Sequence, residues 1–433
     1  MKLDMKTLII LLLFIFAGFS LQAQENLSLA GAIERALENN YNIEVARNDQ
    51  LVSEIRNNWG TAGRYPYISL SAGNDNSFNL NENENFVTNR FSAGANLNWT
   101  LFDGYSVRIS KQRFEELEQM SKQNTAIMVE GTIQSVVLAY YAVLLDKETL
   151  DVFSDVMTLS EDRFRRAEQR QEIGTYVTYD VLQAQNAYLS DRSSYLLQEV
   201  AYKNALRDLN YLMAEDETAR WELTTDFEAE PVEYSLETLK AQLFENNKVL
   251  QNQYVNQRLL ENAVASAKSS FSPALDFRGG ITGSSTRTDF AERGENWSNA
   301  ANFYGNFTLS FNLFSGGNRK RALQIAQIDE ETGLIEIEDM EHDLSNRLAN
   351  LYEFYQVRME LLDVAKENLD AARLNLQISQ EKFDSGAINS FNFRDVQLIY
   401  ISAARRELEA IYNFIDTHTA LLRMTGTIVQ EFE

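Results

Sequence analysis

Apolar residues recur every seven positions in four stretches of the chain. Two of these repeats cover residues 136–164 and 348–376, and two more cover residues 181–209 and 393–421, where Glu407 is the one charged member. A sustained seven-residue apolar repeat is typical of helices that pack together as coiled coils. The pattern therefore predicts four helices that pack side by side.

Helix breakers are scarce around these repeats, since the 433 residues include only 3 Pro and 19 Gly. The stretches between breakers predict two long helices at residues 105–172 and 319–384. At ~1.5 Å per residue each of them would be about 100 Å long. Shorter helical segments are predicted at residues 27–62, 177–213, 236–269 and 391–424.

Two segments between the helices alternate apolar and polar residues strictly, as strands do. They predict β-hairpins at about residues 66–102 and 273–314, each beginning at a proline. The hairpin tips, at about residues 80–89 and 284–302, are rich in polar residues and are predicted to be solvent loops. The apolar face of the strands includes Phe91, Leu97, Trp99, Phe307, Leu309 and Phe311.

Strands of this kind have two explanations. Strands of ~10 residues with aromatic side chains near their ends fit a transmembrane β-barrel whose apolar face contacts lipid. An antiparallel sheet of a water-soluble protein, buried on one face, shows the same alternation. Four strands cannot close a barrel, because the smallest membrane barrels have about 8 strands. The membrane alternative therefore requires an oligomer that shares one barrel.

The chain also repeats itself once. Pro66 matches Pro273 at an offset of 207 residues, and Gly174 matches Gly386 at an offset of 212. In each repeat the long helical hairpin has its predicted tip near the matched glycine. The predicted domains are a first repeat, a linker and a second repeat, at residues 24–213, 214–233 and 234–433.

The N-terminus, residues 1–23, is predicted to be a secretory signal peptide. Lys2 and Lys6 precede an apolar run at residues 8–19, and the small residue Ala23 follows it as the expected cleavage site. The alternative is a membrane-anchoring helix. We favour the signal peptide, because the apolar run has roughly 12 to 14 residues and a bilayer span needs ~20.

The composition narrows the possible functions. The chain has 39 Lys+Arg and 63 Asp+Glu, and its formal net charge of −24 argues against a nucleic-acid partner. It has no Cys, and its 2 His, at positions 342 and 418, are too far apart in sequence for a metal-binding pair. The sequence shows no phosphate-binding glycine loop and no catalytic arrangement. We therefore predict a protein that is not an enzyme and that uses no metal or cofactor.

These features together resemble the TolC-like outer membrane efflux proteins. The resemblance rests on the tandem repeats, the prolines that open both hairpins and the glycines that end both long helices. It also rests on the sequences Leu-Phe-Asp-Gly at 101–104 and Leu-Phe-Ser-Gly at 313–316, which close the two hairpins. The resemblance covers nearly all of the chain after the signal peptide.

This resemblance implies an α + β membrane protein in which three chains, with four strands each, share one transmembrane β-barrel. It implies that the helices form a long antiparallel coiled-coil barrel in the periplasm, and that the protein lies in the outer membrane of a Gram-negative-type cell. The implied partners are two further copies of the chain, outer membrane lipid, a periplasmic adaptor protein and an inner-membrane transporter.

The resemblance also assigns residues to the periplasmic end. In the family each hairpin tip has a glycine, followed shortly by acidic residues that ring the aperture. Ile388 replaces an arginine that latches the closed state in the family, so we expect a less charged gate here. The helix dipole also favours acids near a helix start, and this explanation stays open for the two aspartates. The candidate gate residues are Asp180, Asn392 and Asp395, and the candidate adaptor-docking tips are Gly174, Thr175, Gly386 and Ala387.

Two functions fit these expectations. The first is an outer membrane exit duct, which conducts small molecules or polypeptides passively in a tripartite efflux system or a type I secretion system. The alternative is a soluble periplasmic coiled-coil scaffold or adaptor protein. An adaptor usually carries a compact β-rich domain between its helices, and the sequence predicts no such domain. We therefore favour the duct.

Overall fold

The structure, a computed structural model, describes residues 25–80 and 85–432. The predicted signal peptide lies outside the described residues. The helices are α1 (Leu29–Asn39), α2 (Tyr41–Arg56), α3 (Ser106–Glu172), α4 (Thr178–Leu212), α5 (Leu236–Asn246), α6 (Lys248–Ser269), α7 (Asn318–Asp384), α8 (Ser390–Met424) and α9 (Ile428–Phe432). The strands are β1 (Glu25–Leu27), β2 (Tyr67–Asn79), β3 (Phe86–Phe102), β4 (Trp221–Leu223), β5 (Ala274–Phe290) and β6 (Gly294–Ser310).

The two predicted repeats contain matching helices. The helices α3 and α7 have 67 residues each, and α4 and α8 have 35 residues each. Both pairs lie 212 positions apart, at the offset found in the sequence. The helices α1 and α5 also match, with 11 residues each. The tandem architecture predicted from the sequence is therefore confirmed.

The segments 27–62 and 236–269, each predicted as one helical segment, are each broken in two by a buried asparagine. The side-chain oxygen of Asn40 accepts a hydrogen bond from the N–H of Asn42 at 3.0 Å, and that of Asn247 accepts one from Leu250 at 2.9 Å. Asparagine is a favoured residue just before a helix because it caps free N–H groups in this way. The apolar periodicity continues across both breaks, so the pattern alone does not reveal them.

The described chain packs into two compact units, which we describe separately. Unit 1 comprises the chain up to Ile43 with Val129–Glu245 and Arg347–Glu433, and unit 2 comprises Glu44–Met128 and Asn246–Asn346. Each unit takes segments from both sequence repeats.

Unit 2 contains an antiparallel sheet of four strands in the order β2-β3-β5-β6. Each strand pairs with its neighbours along nearly its whole length, with one irregularity between Thr100 and Phe102 in β3. The strands β2 and β6 form the two edges of this sheet. Their outer backbone groups have no strand partner within the described chain.

The second hairpin is longer than predicted. Residues 284–302 were expected to form a solvent loop, yet β5 continues to Phe290 and β6 begins at Gly294, so that only three residues form the turn. Backbone hydrogen bonds continue the ladder although the apolar alternation stops, and threonines such as Thr286 and Thr288 suit strands. In the first hairpin β2 ends at Asn79 and β3 begins at Phe86, with residues 81–84 outside the described part.

The prediction that Phe311 is a strand residue is wrong. The strand β6 ends at Ser310, which pairs with Ala274, the first residue of β5. Pro273 precedes Ala274 and has no N–H group with which to extend the ladder. The second hairpin therefore ends before its predicted limit at residue 314.

The core of unit 1 forms around α3. This helix contributes Val136, Tyr140 and Val143, which are almost completely buried. The Tyr140 hydroxyl donates to the carbonyl oxygen of Leu27 in β1 at 2.8 Å, and β1 pairs in parallel with β4. Because β4 lies in the predicted linker 214–233, this segment is part of the folded unit.

Among the described residues, α3 is the one helix with a stretch long and apolar enough to cross a membrane. Of that stretch, 44% is buried inside the protein. A helix at the centre of a protein core has the same composition, and α3 supplies core residues of unit 1.

The four seven-residue repeats behave as the sequence predicts. Every residue that lies at the seven-residue spacing of these repeats is buried or half-buried in unit 1. Glu407 is half-buried in the stripe on α8, and this burial raises the pKa of its carboxyl group, although Arg373 and Lys366 act in the opposite direction. Folding therefore makes the charged form of Glu407 less favourable than it is in the unfolded chain.

We expect the substitution Glu407→Gln to stabilise the protein at pH 8, because it removes a charge that the fold disfavours. The melting temperature should rise by roughly 1–3 °C. The gain should vanish near pH 4, since an acid whose pKa is raised on folding is protonated in the folded wild type as the pH falls. Thermal unfolding at both pH values measures this. Glu409→Gln, an exposed neighbour, is the control, and equal effects of the two substitutions would contradict the prediction.

Candidate functional site

Both predicted hairpin tips lie in unit 1, and the first is a tight turn between α3 and α4. Gly174 has φ +75°, in the left-handed region that glycine tolerates. The N–H groups of Thr175 and Tyr176 donate to the carbonyl oxygen of Arg170 at 2.9 and 3.2 Å. The Thr175 hydroxyl donates to the same oxygen at 2.9 Å. These bonds satisfy the last carbonyl groups of α3 and reverse the chain.

The second tip, between α7 and α8, has the same construction. Gly386 has φ +79°, and the N–H of Ala387 donates to the carbonyl oxygen of Lys382 at 2.8 Å. No heavy atom lies within 4 Å of the position that a Cβ would take at Gly174 or Gly386. Both glycines are therefore required by the backbone conformation, and both tips are exposed.

Asp180 lies in the first turn of α4, where its carboxylate accepts a hydrogen bond from the N–H of Val177 at 3.2 Å. The side chain is half-buried. This contact explains Asp180 as a residue that stabilises the start of a helix, as the helix-dipole alternative proposed. Its role in a gate stays a prediction.

Asn392 and Asp395 lie in the first two turns of α8 and are both exposed. They are three positions apart and therefore share one side of the helix. The N–H of Asn392 is capped by the side-chain oxygen of Asn389 at 2.9 Å. No hydrogen bond within the described chain joins Asp395 to Asp180.

A buried polar network, which the sequence analysis missed, lies beside these tips. Arg163 of α3 donates to the side-chain oxygen of Gln397 at 2.7 Å and to the hydroxyl of Ser390 at 2.6 Å. Its guanidinium also lies over the rings of Phe383 and Phe393, at 5.2 and 4.7 Å from their centroids. One side chain of the first repeat therefore contacts both long helices of the second.

The second half of this network is an ion pair. Arg394 of α8 donates to both carboxylate oxygens of Asp191 in α4, at 2.7 and 2.6 Å. The hydroxyl of Ser160 in α3 donates to the same carboxylate. Asp191 is only 5% exposed, so this two-point ion pair is formed away from water.

Burial shifts the pKa of Arg163 without removing its charge at neutral pH. It lowers the pKa of Arg163 to about 10, with a smaller effect of the same sign from Arg394. Arg163 is therefore still a cation at neutral pH. A sequence signal for this residue exists, because Arg163 follows the buried Val156 by seven positions and so continues a buried stripe of α3.

The sheet of unit 2 is the other candidate for function. Its register places Trp99 beside Phe277 and Phe277 beside Phe307, so the apolar residues of neighbouring strands form rows on one side. This apolar face is exposed or half-exposed in the single chain. It contains Ile68, Leu70, Ala72, Phe91, Ala93, Ala95, Leu97, Trp99, Phe277, Ile281, Ala301, Phe303, Phe307 and Leu309.

The opposite side, the polar face, carries hydroxyl and amide groups. The Tyr304 hydroxyl donates to the side-chain oxygen of Asn96 at 2.8 Å across Gly280, where a Cβ would lie 2.8 Å from the Tyr304 oxygen. The Thr100 hydroxyl donates to Asp276 at 2.8 Å. The polar face includes Ser69, Ser71, Ser92, Asn96, Asn98, Thr282, Asn302 and Asn306.

No group of three or more His, Asp or Glu side chains that could hold a metal ion was found among residues 25–80 and 85–432. The candidate sites of the described chain are therefore surfaces and turns.

The tip glycines provide a direct test of the turn geometry. We expect Gly174→Ala or Gly386→Ala to lower the free energy of unfolding by about 1 kcal/mol, because alanine is disfavoured at positive φ. Gly131→Ala is the control, since Gly131 lies inside α3 and its Cβ would make an ordinary 3.5 Å contact with Arg423. This control should stabilise by up to ~1 kcal/mol. Thermal unfolding of the three variants checks the signs.

Comparison with known proteins by sequence finds one matching family, described as outer membrane efflux protein. The match covers residues 32–215 and 239–427 and therefore most of the chain. No match was found among curated proteins.

Comparison by structure finds outer membrane channels. The CmeC outer membrane channel of Campylobacter jejuni is 15% identical, with a TM-score of 0.77 over 92% of this chain and 86% of that one. The outer membrane protein VceC of Vibrio cholerae is 13% identical, with a TM-score of 0.72 over 92% and 96%. The open state of the MtrE outer membrane channel of Neisseria gonorrhoeae is 15% identical, with a TM-score of 0.71 over 92% and 89%. The shared fold confirms the predicted fold class.

Proposed function

This chain belongs to the outer membrane efflux protein family, and we propose that three copies of it assemble into one continuous exit duct. The chain is an outer membrane efflux channel, as the sequence predicts. The observation that carries the proposed assembly is the four-stranded sheet, which has one exposed apolar face and two unpaired edges.

The apolar face has the height of a membrane. It extends from the row of Leu309 to the row of Phe91, which contains Asn299 of β6, ten residues further towards the turn. Ten residues at ~3.4 Å cover about 34 Å along a strand. A strand tilt of ~40° reduces this to about 26 Å, close to the ~25 Å apolar band of outer membrane barrels. Trp99 and Trp297 each lie one row from one of these limits, near the levels at which such barrels have aromatic girdles.

The two faces differ as the outside and inside of a barrel do. Leu70 is 85% exposed and Phe303 73% exposed on the apolar face, and such a surface would aggregate in water. We assign this face, with the predicted lipid contacts Phe91, Leu97 and Trp99, to outer membrane lipid. The polar face then lines a water-filled lumen.

The edges determine how copies join. With an even number of strands, β6 of one copy can pair in antiparallel fashion with β2 of the next. Two copies would give eight strands, and the interior of such a barrel is filled by its own side chains. Three copies give twelve strands, the smallest multiple that leaves a passage. We therefore propose a homotrimer.

The helices of unit 1 support the same assembly. In α4 the residues Leu182, Leu189 and Leu196 are about half-exposed and seven positions apart, and in α7 the residues Phe354 and Leu361 repeat this spacing. Exposed seams of this kind suit packing against another helix. A second copy of the chain would cover them.

We assign the hairpin tips to the periplasmic end. The tip residues Gly174, Thr175, Gly386 and Ala387 are exposed, and Ile173 beside the first tip is 75% exposed. This surface would dock a periplasmic adaptor protein, which connects the duct to an inner-membrane transporter. Asp180, Asn392 and Asp395 would then face one another across the three-fold axis and form the aperture.

The assembly is tested by mass and by labelling, using the absence of Cys in the chain. Detergent-extracted protein from the outer membrane is expected to have the mass of a trimer. Single cysteines on the polar face, Ser71→Cys and Asn96→Cys, should react with a membrane-impermeant thiol reagent in intact membranes. Their neighbours on the apolar face, Leu70→Cys and Ala95→Cys, should not react. A soluble monomer, or equal labelling of both faces, would favour the periplasmic scaffold instead.

The aperture is tested by conductance. We expect Asp395→Asn to reduce the preference of the open channel for cations, because it removes three carboxylates from the narrowest part of the passage. Reversal potentials in planar bilayers under a salt gradient measure this preference. Glu237→Gln is the control, since it also removes three exposed acids from the trimer, at the start of α5. An unchanged reversal potential for Asp395→Asn would exclude Asp395 from the aperture.

A further inference from the structure

Seven-residue apolar repeats bring helices together without fixing how far one helix extends past another. A slip of seven residues places each apolar side chain opposite an equivalent one. Such a slip moves a helix by about 10.5 Å at ~1.5 Å per residue. The helical hairpins α3-α4 and α7-α8 in unit 1 pack through stripes of this kind, so another feature must fix their relative height.

The buried polar network has the properties that this task requires. It joins Arg163 and Asp191 of the first hairpin to Ser390, Arg394 and Gln397 of the second. Arg163 and Asp191 are each 5% exposed, and Gln397 is fully buried. Each of these bonds depends on one position along α8.

A slip of one heptad would break the whole network at once. Asp191 would then face position 401 or position 387 instead of Arg394, and these are Ile401 and Ala387. Arg163 would exchange Gln397 for Ala404 when α8 moves in one direction. In both cases a buried charge would lack a partner, which is strongly unfavourable.

We propose that Arg163, Asp191 and Arg394 are positioning residues that fix the axial register between the two helical hairpins of one chain. The register determines the height of the first tip relative to the second. The consequence for the aperture and for adaptor docking, which require both tips at one level, rests on the proposed function. The register itself is a property of the single chain.

The network contributes to register more than to stability. The cost of removing two charged groups from water largely cancels the attraction of a buried ion pair, so apolar replacements of such pairs are often tolerated. Fixing register is the best-supported role of buried polar groups between helices. If the network served stability alone, any change at the tips on its removal would come with a proportional fall in the melting temperature.

The test measures the distance between the hairpins directly. Glu172→Cys at the end of α3 and Glu381→Cys near the end of α7 are exposed helical positions in a chain without other cysteines. Both are spin-labelled, and labelled chains are diluted into an excess of unlabelled ones, so that double electron–electron resonance reports distances within one chain. The wild-type sequence is expected to give one narrow distance distribution.

The variant R163M/D191L/R394M replaces the network by apolar residues of similar size. We expect it to fold with a melting temperature within a few degrees of the wild type, while its distance distribution broadens or divides into two. The matched control is R166Q/D384N, which removes an exposed ion pair between the same hairpins and should leave the distribution narrow. A narrow distribution in the folded triple variant, or equal broadening in the control, would overturn the proposal.

A second pair of variants covers the case in which the triple variant does not fold. D191N removes one partner and is expected to broaden the distribution, and D191R/R394D restores an ion pair with reversed charges and is expected to narrow it again. A folded D191N variant with an unchanged distribution would also overturn the proposal. The mass of each sample is measured separately, so a failure of trimer formation, which concerns the proposed function, is distinguished from a failure of register.

Discussion

The unpaired edges of the four-stranded sheet constrain everything else in this protein. An exposed strand edge has N–H and C=O groups that need partners, and a lipid environment offers none. The apolar face excludes the sheet from water, and the open edges exclude a single copy from lipid. Closing the edges with further copies satisfies both requirements together. The apolar face accounts for the membrane location, and the unpaired backbone groups of the edges account for the proposed oligomer and its passage.

The helices of unit 1 need more than apolar contacts to reach one packing arrangement. Apolar stripes drive their association, and each stripe is tolerant of where its partner lies along the axis. Charged side chains such as Asp191 and Arg394 are less favourable to bury, yet they accept only one arrangement. Unit 1 thus combines apolar contacts, which supply attraction, with a few buried polar contacts, which select one packing among several.

Most of the fold can be predicted from the sequence because its breakers coincide with its boundaries. The long helix expected at 105–172 is Ser106–Glu172, since glycines precede and follow it. The outer half of the second hairpin is missed because the apolar alternation ends where the strands leave the apolar band, while backbone pairing continues to Phe290.

The candidate sites are less accessible to sequence reasoning. Asp180 caps a helix in the structure, and a capping acid and a pore acid look the same in a sequence. The partners of Arg163 lie more than 200 positions away, so the network becomes visible only when the two hairpins are packed together. The glycines at the tips are recognisable because a positive φ has few other solutions.

The equal lengths of α3 and α7 limit how this chain can vary. One inserted residue in either helix would rotate everything beyond it by about 100° and turn its apolar stripe away from its neighbours. The difference in spacing between the repeats falls outside the matched long helices, mostly in the connection between strand and helix, which has 3 residues after β3 and 7 after β6. Changes of helix length are therefore confined to whole helical periods made in both repeats at once. The three-residue turn between β5 and β6 lies outside this constraint and is free to change one residue at a time.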